Sequence, residues 1–345
     1  MTTTSPATGQ SPQTSAAPSP GPARRAGHPL AAYAARRLAA AVALLLVVSL
    51  AVFALLALAP GDLARTLLGT RSATPQALAA VRSAHHLDDP FLVQYWHWLA
   101  AALHGDLGVS VRTGAPVTQA VGDRIGLTLQ LALGGFVLAL LAGIPFGTLA
   151  ALRRGRATDR IVQGLGVIGL SAPAFASGLL LVHLFALRAD WLPAFGAGDG
   201  GTLDRLRHLV LPCVALALSV TGLLLKLTRA AVLRELDADH TAFALARGVP
   251  PREVLLRHVL RGALLPIATG AGLVLAYLVA GTVMVEATFA LPGLGRLLVD
   301  SVTYKDVPVV QAVALLAASA VITVNLVVDL LTPLIDPRIR TGGTR

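Results

Sequence analysis

Six apolar runs set most of what this 345-residue chain can fold into. A helix crossing the hydrocarbon core needs about 20 predominantly apolar residues. Runs of that kind lie at 38–59, 125–151, 161–187, 209–228, 264–285 and 309–332. Composition agrees: 55% of residues are hydrophobic and 13% charged, against about 25% charged in an ordinary soluble domain. With a mean hydropathy of +0.71, the expected class is an all-α integral membrane protein with six transmembrane helices.

The formal charge of +10 would raise nucleic acid as a partner of a soluble chain. In a membrane protein it reports topology instead, because cytoplasmic loops hold excess Arg and Lys. With the N-terminus inside, 18 of the 28 basic residues fall in inner segments, and five of the other ten lie in one long outer loop, 60–124. Long loops translocate regardless of charge. The remaining balance therefore places both termini in the cytoplasm, with membrane lipid as surroundings and no nucleic acid partner. Trp96, Trp98 and Trp191 fall in or beside outer segments, where amphipathic rings sit at headgroup level.

Residues 1–35 read as a disordered cytoplasmic tail, since the first 23 are Thr, Ser, Pro, Gly, Ala and Gln without apolar period. Residues 36–116 comprise the first transmembrane helix and an extracytoplasmic loop. Residues 117–332 form the main transmembrane domain with an inner loop at 229–263, and 333–345 a second cytoplasmic tail. Ala57-Leu58-Ala59 is similar to a signal-peptide cleavage site, but the preceding run is longer than a secretory apolar region. Within the outer loop, Thr74-Pro75 has helix-start chemistry. Phe91, Leu92, Tyr95, Trp96, Leu99 and Leu103 follow at helical spacing, so short helices are expected on the outer surface.

Several motif matches lose to plainer readings. Gly164-Leu165-Gly166-Val167-Ile168-Gly169 matches a dinucleotide-binding string but lies inside an apolar span, where small residues serve close helix packing. Gly196-Ala197-Gly198-Asp199 matches the string of intramembrane aspartyl proteases, yet Asp199 has no aspartate on a facing span and sits in a Gly-rich turn. His85, His86, His97 and His104 with Asp88 and Asp89 fit no compact metal-ligand spacing. No nucleophile elbow and no phosphate-cradling loop is present, so any ATP used must be bound elsewhere. Cys213 is alone, sits among apolar neighbours in the sequence and gets no role.

The inner loop is the most distinctive segment. Asp239 is placed to cap a helix of about two turns, Arg247 falls in its last turn, and Gly248 supplies the left-handed position before Pro250. Pro251 then starts a second helix, expected at 252–265. A two-turn helix is marginal alone in water. It must rest either on this chain's own helices or on a partner.

At this point the chain resembles the permease subunits of ATP-binding-cassette importers for dipeptides, oligopeptides and nickel, in particular the first permease of the pair. Ala244-Leu245-Ala246-Arg247-Gly248, followed by Leu255 to Pro266, is similar to the family's cytoplasmic EAA loop. So are Pro60-Gly61-Asp62, Leu87-Asp88-Asp89-Pro90, Gly105-Asp106-Leu107-Gly108, Leu127-Thr128-Leu129-Gln130, Val285 to Arg296, Asp306 to Gln311 and Val328 to Arg338, in the family's order. The string departs where Ala242-Phe243-Ala244 replaces Glu-Ala-Ala, and His85-His86 precede Leu87-Asp88.

The resemblance implies a type I importer transmembrane fold in the cytoplasmic membrane of a prokaryote. It implies two cytoplasmic ATPase subunits, a second homologous permease and an extracytoplasmic substrate-binding protein. ATP and magnesium would sit on the partner subunits, and this chain would carry no catalytic residue, cofactor or metal. Peptides are the expected cargo, with nickel or another small solute as the alternative. A transporter driven by ion gradients would want carboxylates within the spans, which are almost free of them. The inner loop would be a coupling helix docked on an ATPase through Phe243, Ala244, Arg247 and Gly248. Phe243 would be an apolar anchor, Ala244 would permit close approach, Arg247 would pair with an acid and Gly248 would set the exit. The outer segment with Glu286, Pro292, Gly293 and Gly295 would fold back at the outer mouth as part of the path or an outer gate. Glu286 has two readings, a boundary carboxylate in interfacial water or a group facing the path. Lys226 is expected to snorkel.

Overall fold

The computed structural model describes residues 29–57, 63–68, 74–84 and 88–335. Most of the expected N-terminal tail, Pro60-Gly61-Asp62, His85 and His86, and the end of the chain from 336 lie outside the described residues. The described part is helical, with one isolated antiparallel bridge between Val109 and Pro116. In chain order the helices are α1 Pro29–Ala57, α2 Leu63–Leu68, α3 Pro75–Ala84, α4 Phe91–Leu103, α5 Val117–Leu152, α6 Ala157–Ser171 and α7 Ala174–Leu181. They continue with α8 Thr202–Leu236, α9 Asp239–Ala246, α10 Pro251–Glu253, α11 Leu260–Thr288, α12 Leu294–Thr303 and α13 Val307–Ile335. Short π-helical stretches, Val182–Arg188 and Val254–Val259, extend α7 and join α10 to α11.

Helix α1 begins inside the segment expected to be disordered. Pro29 opens it with a preset φ, and the Ala-rich residues that follow are strong helix formers. At the other end α13 continues to Ile335, three residues into the expected tail. Tyr33 donates its hydroxyl to the Asp329 carbonyl at 3.3 Å and Arg37 reaches the Asp329 carboxylate at 3.0 Å, so the start of α1 lies beside the end of α13. Short helices form in the 60–124 segment. Thr74 Oγ1 accepts from the Ala77 N–H at 3.2 Å at the start of α3. The ring of Phe53 on α1 meets Phe91, Tyr95 and Trp98 of α4 at centroid distances of 5.5, 5.7 and 5.6 Å, which fastens α4 to the first span.

The centre of the bundle is α8, packed along α5 through small residues. Gly135, Ala139, Gly143, Gly147 and Ala151 recur every four residues and all are buried. A Cβ on Gly143 would lie 3.0 Å from the Leu224 side chain, and one on Gly147 would lie 2.7 Å from the Leu225 carbonyl oxygen. Lipid tails are as apolar as the helices, so such backbone approach is what drives association here. The same explains the rejected dinucleotide string: a Cβ on Gly222 of α8 would collide with the Gly166 carbonyl of α6, and one on Gly169 would lie 2.9 Å from the Leu218 carbonyl.

The third expected span is not one straight helix. Among the described residues, α1, α5, α8, the Pro251–Thr288 run and α13 are each long and apolar enough to cross a membrane, whereas α6 and α7 meet at 102°. Pro173 supplies the reason. It offers no N–H to continue α6, and its ring holds Ala172 in extended geometry at φ −85°, ψ 120°. A periodicity scan registers the apolar run 161–187 and not the break. The helix expected at 252–265 also differs from expectation, because Pro251 opens a run that continues without interruption into α11 rather than a separate helix ending near 265.

Candidate functional site

Two sites at opposite ends of α11 hold the residues singled out in the sequence. At the first end, α9 sits against the chain's own core. Ala238, not Asp239, is the N-cap, and Asp239 occupies the first turn, where its charge favours the helix dipole. The helix ends as expected at Gly248, with φ +80°. The Val249 N–H reaches back to the Ala244 carbonyl at 3.2 Å and the Gly248 N–H to the Leu245 carbonyl at 3.0 Å. This double closure satisfies the orphan carbonyls and turns the chain sharply into Pro250.

The four expected docking residues divide between two faces. Ala244 is buried with Ala231, Val232, Val254 and Ala263, so it fixes α9 to its own bundle rather than offering a surface for close approach by another subunit. Thr241 is buried beside it and donates its hydroxyl to the Glu235 carbonyl at 2.7 Å. Phe243, Arg247 and Gly248 lie outward. Phe243 is 63% exposed and Leu245 47% exposed, and the Arg247 guanidinium stands 5.6 Å from the Phe243 ring. The chain itself thus leaves a large aromatic, braced by a cation, uncovered on this face of α9.

Behind α9 is an ion pair that the residue pattern did not reveal. Asp159 at the start of α6 is 3% exposed. Its oxygens accept from Arg229 Nε and Nη2 of α8, each at 2.8 Å, from the Gly155 N–H at 3.0 Å and from Gln163 at 2.8 Å. A bidentate pair with every oxygen satisfied is the form in which burial of two charges is tolerated. It ties the α5–α6 turn to the helix that leads into α9. Arg154 adds an exposed contact to Asp237 at 3.0 Å. The hint in the sequence was the acid at an apolar helix start; the partner lies 70 residues away.

At the far end of α11, Glu286 is enclosed by its own chain. Its side chain has no exposed surface, so within this chain it neither sits in interfacial water nor faces an open path. One carboxylate oxygen accepts from the Gly295 N–H at 2.7 Å and the Arg296 N–H at 3.1 Å, and the other from Thr128 Oγ1 at 2.7 Å. Thr128 in turn accepts from the Leu294 N–H at 2.9 Å. The anion thus satisfies the first N–H groups of α12, where positive partial charge collects. Thr128 joins α5 to the same knot. Gly293 and Gly295 are buried and let this turn close, since a Cβ on Gly293 would strike the Glu286 carboxylate and one on Gly295 the Val283 backbone. Pro292 is exposed at the bend. Beside this knot, Asp306 is buried and accepts from Ser110 Oγ, from the Val111 N–H at 3.1 Å and from the Arg112 N–H at 3.4 Å, which pins the 105–116 loop to the start of α13. Lys226 is exposed on α8.

Comparison with known proteins assigns this architecture. Residues 143–341 match the family described as binding-protein-dependent transport system inner membrane component. Residues 30–132 match that family's N-terminal membrane component. The chain is similar to a probable peptide ABC transporter permease protein, y4tP, of Sinorhizobium fredii, with 38% identity over 310 residues, 89% of this chain and 99% of that one. It is similar to the glutathione transport system permease protein GsiC of Salmonella choleraesuis, with 40% identity over 308 residues, 89% of this chain and 98% of that one. Among solved structures, a chain of the inward-facing MetNI methionine ABC transporter covers 66% of this chain and 97% of its own length, at 19% identity and a TM-score of 0.45. With one family description spanning more than half of its residues and relatives alike over nearly their whole length, the chain belongs to the inner membrane components of binding-protein-dependent ABC transport systems, as a multi-pass permease.

Proposed function

We propose that this permease forms one side of the path of an ATP-driven importer for short peptides, in a prokaryotic cytoplasmic membrane with both termini inside. One of two ATPase subunits would dock at the α9 face, a second homologous permease would complete the path, and an extracytoplasmic binding protein would deliver cargo at the α12 face. The observation that carries the reading is α9 itself. Its inner face is fixed by Ala244 and Thr241, while Phe243, Leu245 and Arg247 stand outward. A short helix bolted to a bundle on one side and apolar on the other transmits force when a partner moves it. Peptides are favoured over nickel or another small solute because relatives alike along nearly their whole length are named for peptide and glutathione transport. ATP and magnesium would be bound by the ATPases, not by this chain. The Glu286 knot would hold the outer turn as a rigid unit, with Pro292, Gly293 and Gly295 shaping an outer gate.

The test is co-purification of the tagged chain from native membranes in mild detergent, for the parent and for Phe243→Asp. The parent is expected to bring down ATPase subunits and a second permease, and the variant to lose the ATPases while inserting normally. Gly248→Asp should likewise insert but abolish uptake. A chain that copurifies alone under conditions that keep a known transporter assembled, with activity that persists without ATPase subunits, would instead support an ion-driven transporter.

A further inference from the structure

The α12 end of the molecule holds a cleft of about 210 Å³ between the 110–115 loop, the start of α5 and the α12–α13 turn. Two cations, Arg112 and Arg124, and three anions, Asp123, Asp300 and Asp306, line it together. Their arrangement is unusual in one respect. Asp306 is taken up by Ser110 and by backbone N–H groups, which leaves two charges of each sign, and among the described residues no ion pair joins Asp123 or Asp300 to either arginine. Arg112 stacks on the Tyr304 ring at 4.8 Å, which orients the guanidinium and leaves its N–H edge free. Arg124 spends one N–H on the Ala120 carbonyl of its own helix at 2.9 Å. The wall behind is rigid, because buried Asp306 holds the backbone N–H groups of Val111 and Arg112.

Unpaired charges of both signs around one space suit a ligand that brings one of each. We propose that this cleft binds the free termini of a short peptide, its carboxylate on Arg112 and Arg124 and its ammonium on Asp123 and Asp300. Guanidinium takes a carboxylate through parallel N–H bonds, and an ammonium offers three donors to carboxylate oxygens. The space is below the roughly 300–1,000 Å³ of pockets for drug-sized ligands, so it suits a peptide of very few residues. The inference rests on the peptide reading above and adds a site of weak capture on the permease itself.

The experiment uses the assembled transporter, with its ATPases and second permease, in lipid nanodiscs and without binding protein. Equilibrium binding of radiolabelled dialanine is compared with N-acetylated and C-amidated dialanine. Saturable dialanine binding is expected, weakened about tenfold or more by blocking either end, by Arg112→Gln or by Asp300→Asn, as loss of one charged hydrogen bond implies. Equal binding of the blocked forms, or no effect of the two substitutions, would overturn the proposal. So would absence of saturable binding while uptake fed by the binding protein proceeds, which would leave the peptide reading intact. Variants that bind dialanine normally but no longer recruit the binding protein would overturn it too, and make the cleft a protein-docking surface. If the system takes up no peptide at all, both readings fall.

Discussion

Helices α1 and α8 are both apolar spans, and they are used in opposite ways. The most apolar stretch of α1 has a mean hydropathy of 2.9 and only 11% of it is buried, whereas that of α8 has 2.1 and 61% buried. In water the more apolar helix would be expected inside. In a bilayer hydropathy measures only the fit to lipid, and burial is set by how closely backbones can approach. Helix α1 therefore shows Leu38, Val42, Leu46, Val47 and Leu55 outward, while α8 sits where Gly166 and the four-residue stripe of α5 admit it.

Substitutions can break this contrast, and the largest effect is expected at the backbone crossing. Gly222→Leu places a side chain where the Gly166 carbonyl lies, beyond the roughly 1–3 kcal/mol of ordinary overpacking. It should abolish accumulation of folded permease in membranes, while Val47→Leu on the exposed face of α1 should leave it unchanged. Equal yields would show that α8 is not held by close approach. Next comes the buried ion pair. Arg229→Met strands the Asp159 charge and should cost about 3–5 kcal/mol, visible as a lower midpoint in detergent-induced unfolding. The double variant Arg229→Met with Asp159→Leu should recover much of that loss.

At the other end, Glu286→Ala leaves the Gly295 and Arg296 N–H groups without their acceptor. A loss of about 1–3 kcal/mol is expected for such an unsatisfied buried group. Thr128→Val, which removes the link to α5, should cost less than Glu286→Ala. A reversed order in thermal unfolding would mean that the hydroxyl and not the carboxylate holds the turn. The smallest effect belongs to α1. Arg37→Gln removes a half-exposed pair with Asp329 and should change stability by no more than about 1 kcal/mol.

The two candidate sites differ in how far they could be read from residues alone. At α9 the signals are local: Gly248 needs its left-handed φ, Pro250 stops the helix, and Arg247 and Phe243 lie on an exposed turn. Local chemistry repeats wherever the string occurs, so the helix is legible, whereas its N-cap at Ala238 and the burial of Ala244 against the chain's own core are not. The setting of Glu286 is not legible in the sequence, since its partners are Thr128, 158 residues away, and the start of α12. Asp159 and Arg229 were not paired for the same reason. The stripe from Gly135 to Ala151 was present in the letters as a small residue every fourth position, and counting apolar runs does not register it.

The sequence by itself determined that the chain lives in a membrane, roughly where its long helices lie, and where the short helix before Gly248 ends. Those features depend on composition over about 20 residues or on the φ preference of single residues, both of which are properties of a local stretch. Only the tertiary structure decided that the third apolar run bends by 102° at Pro173, that α8 is the central helix, and that Glu286 is a buried helix cap. Each of these turns on which backbone N–H, carbonyl or glycine face a distant segment meets, and a bilayer that treats every apolar surface alike leaves that choice to packing.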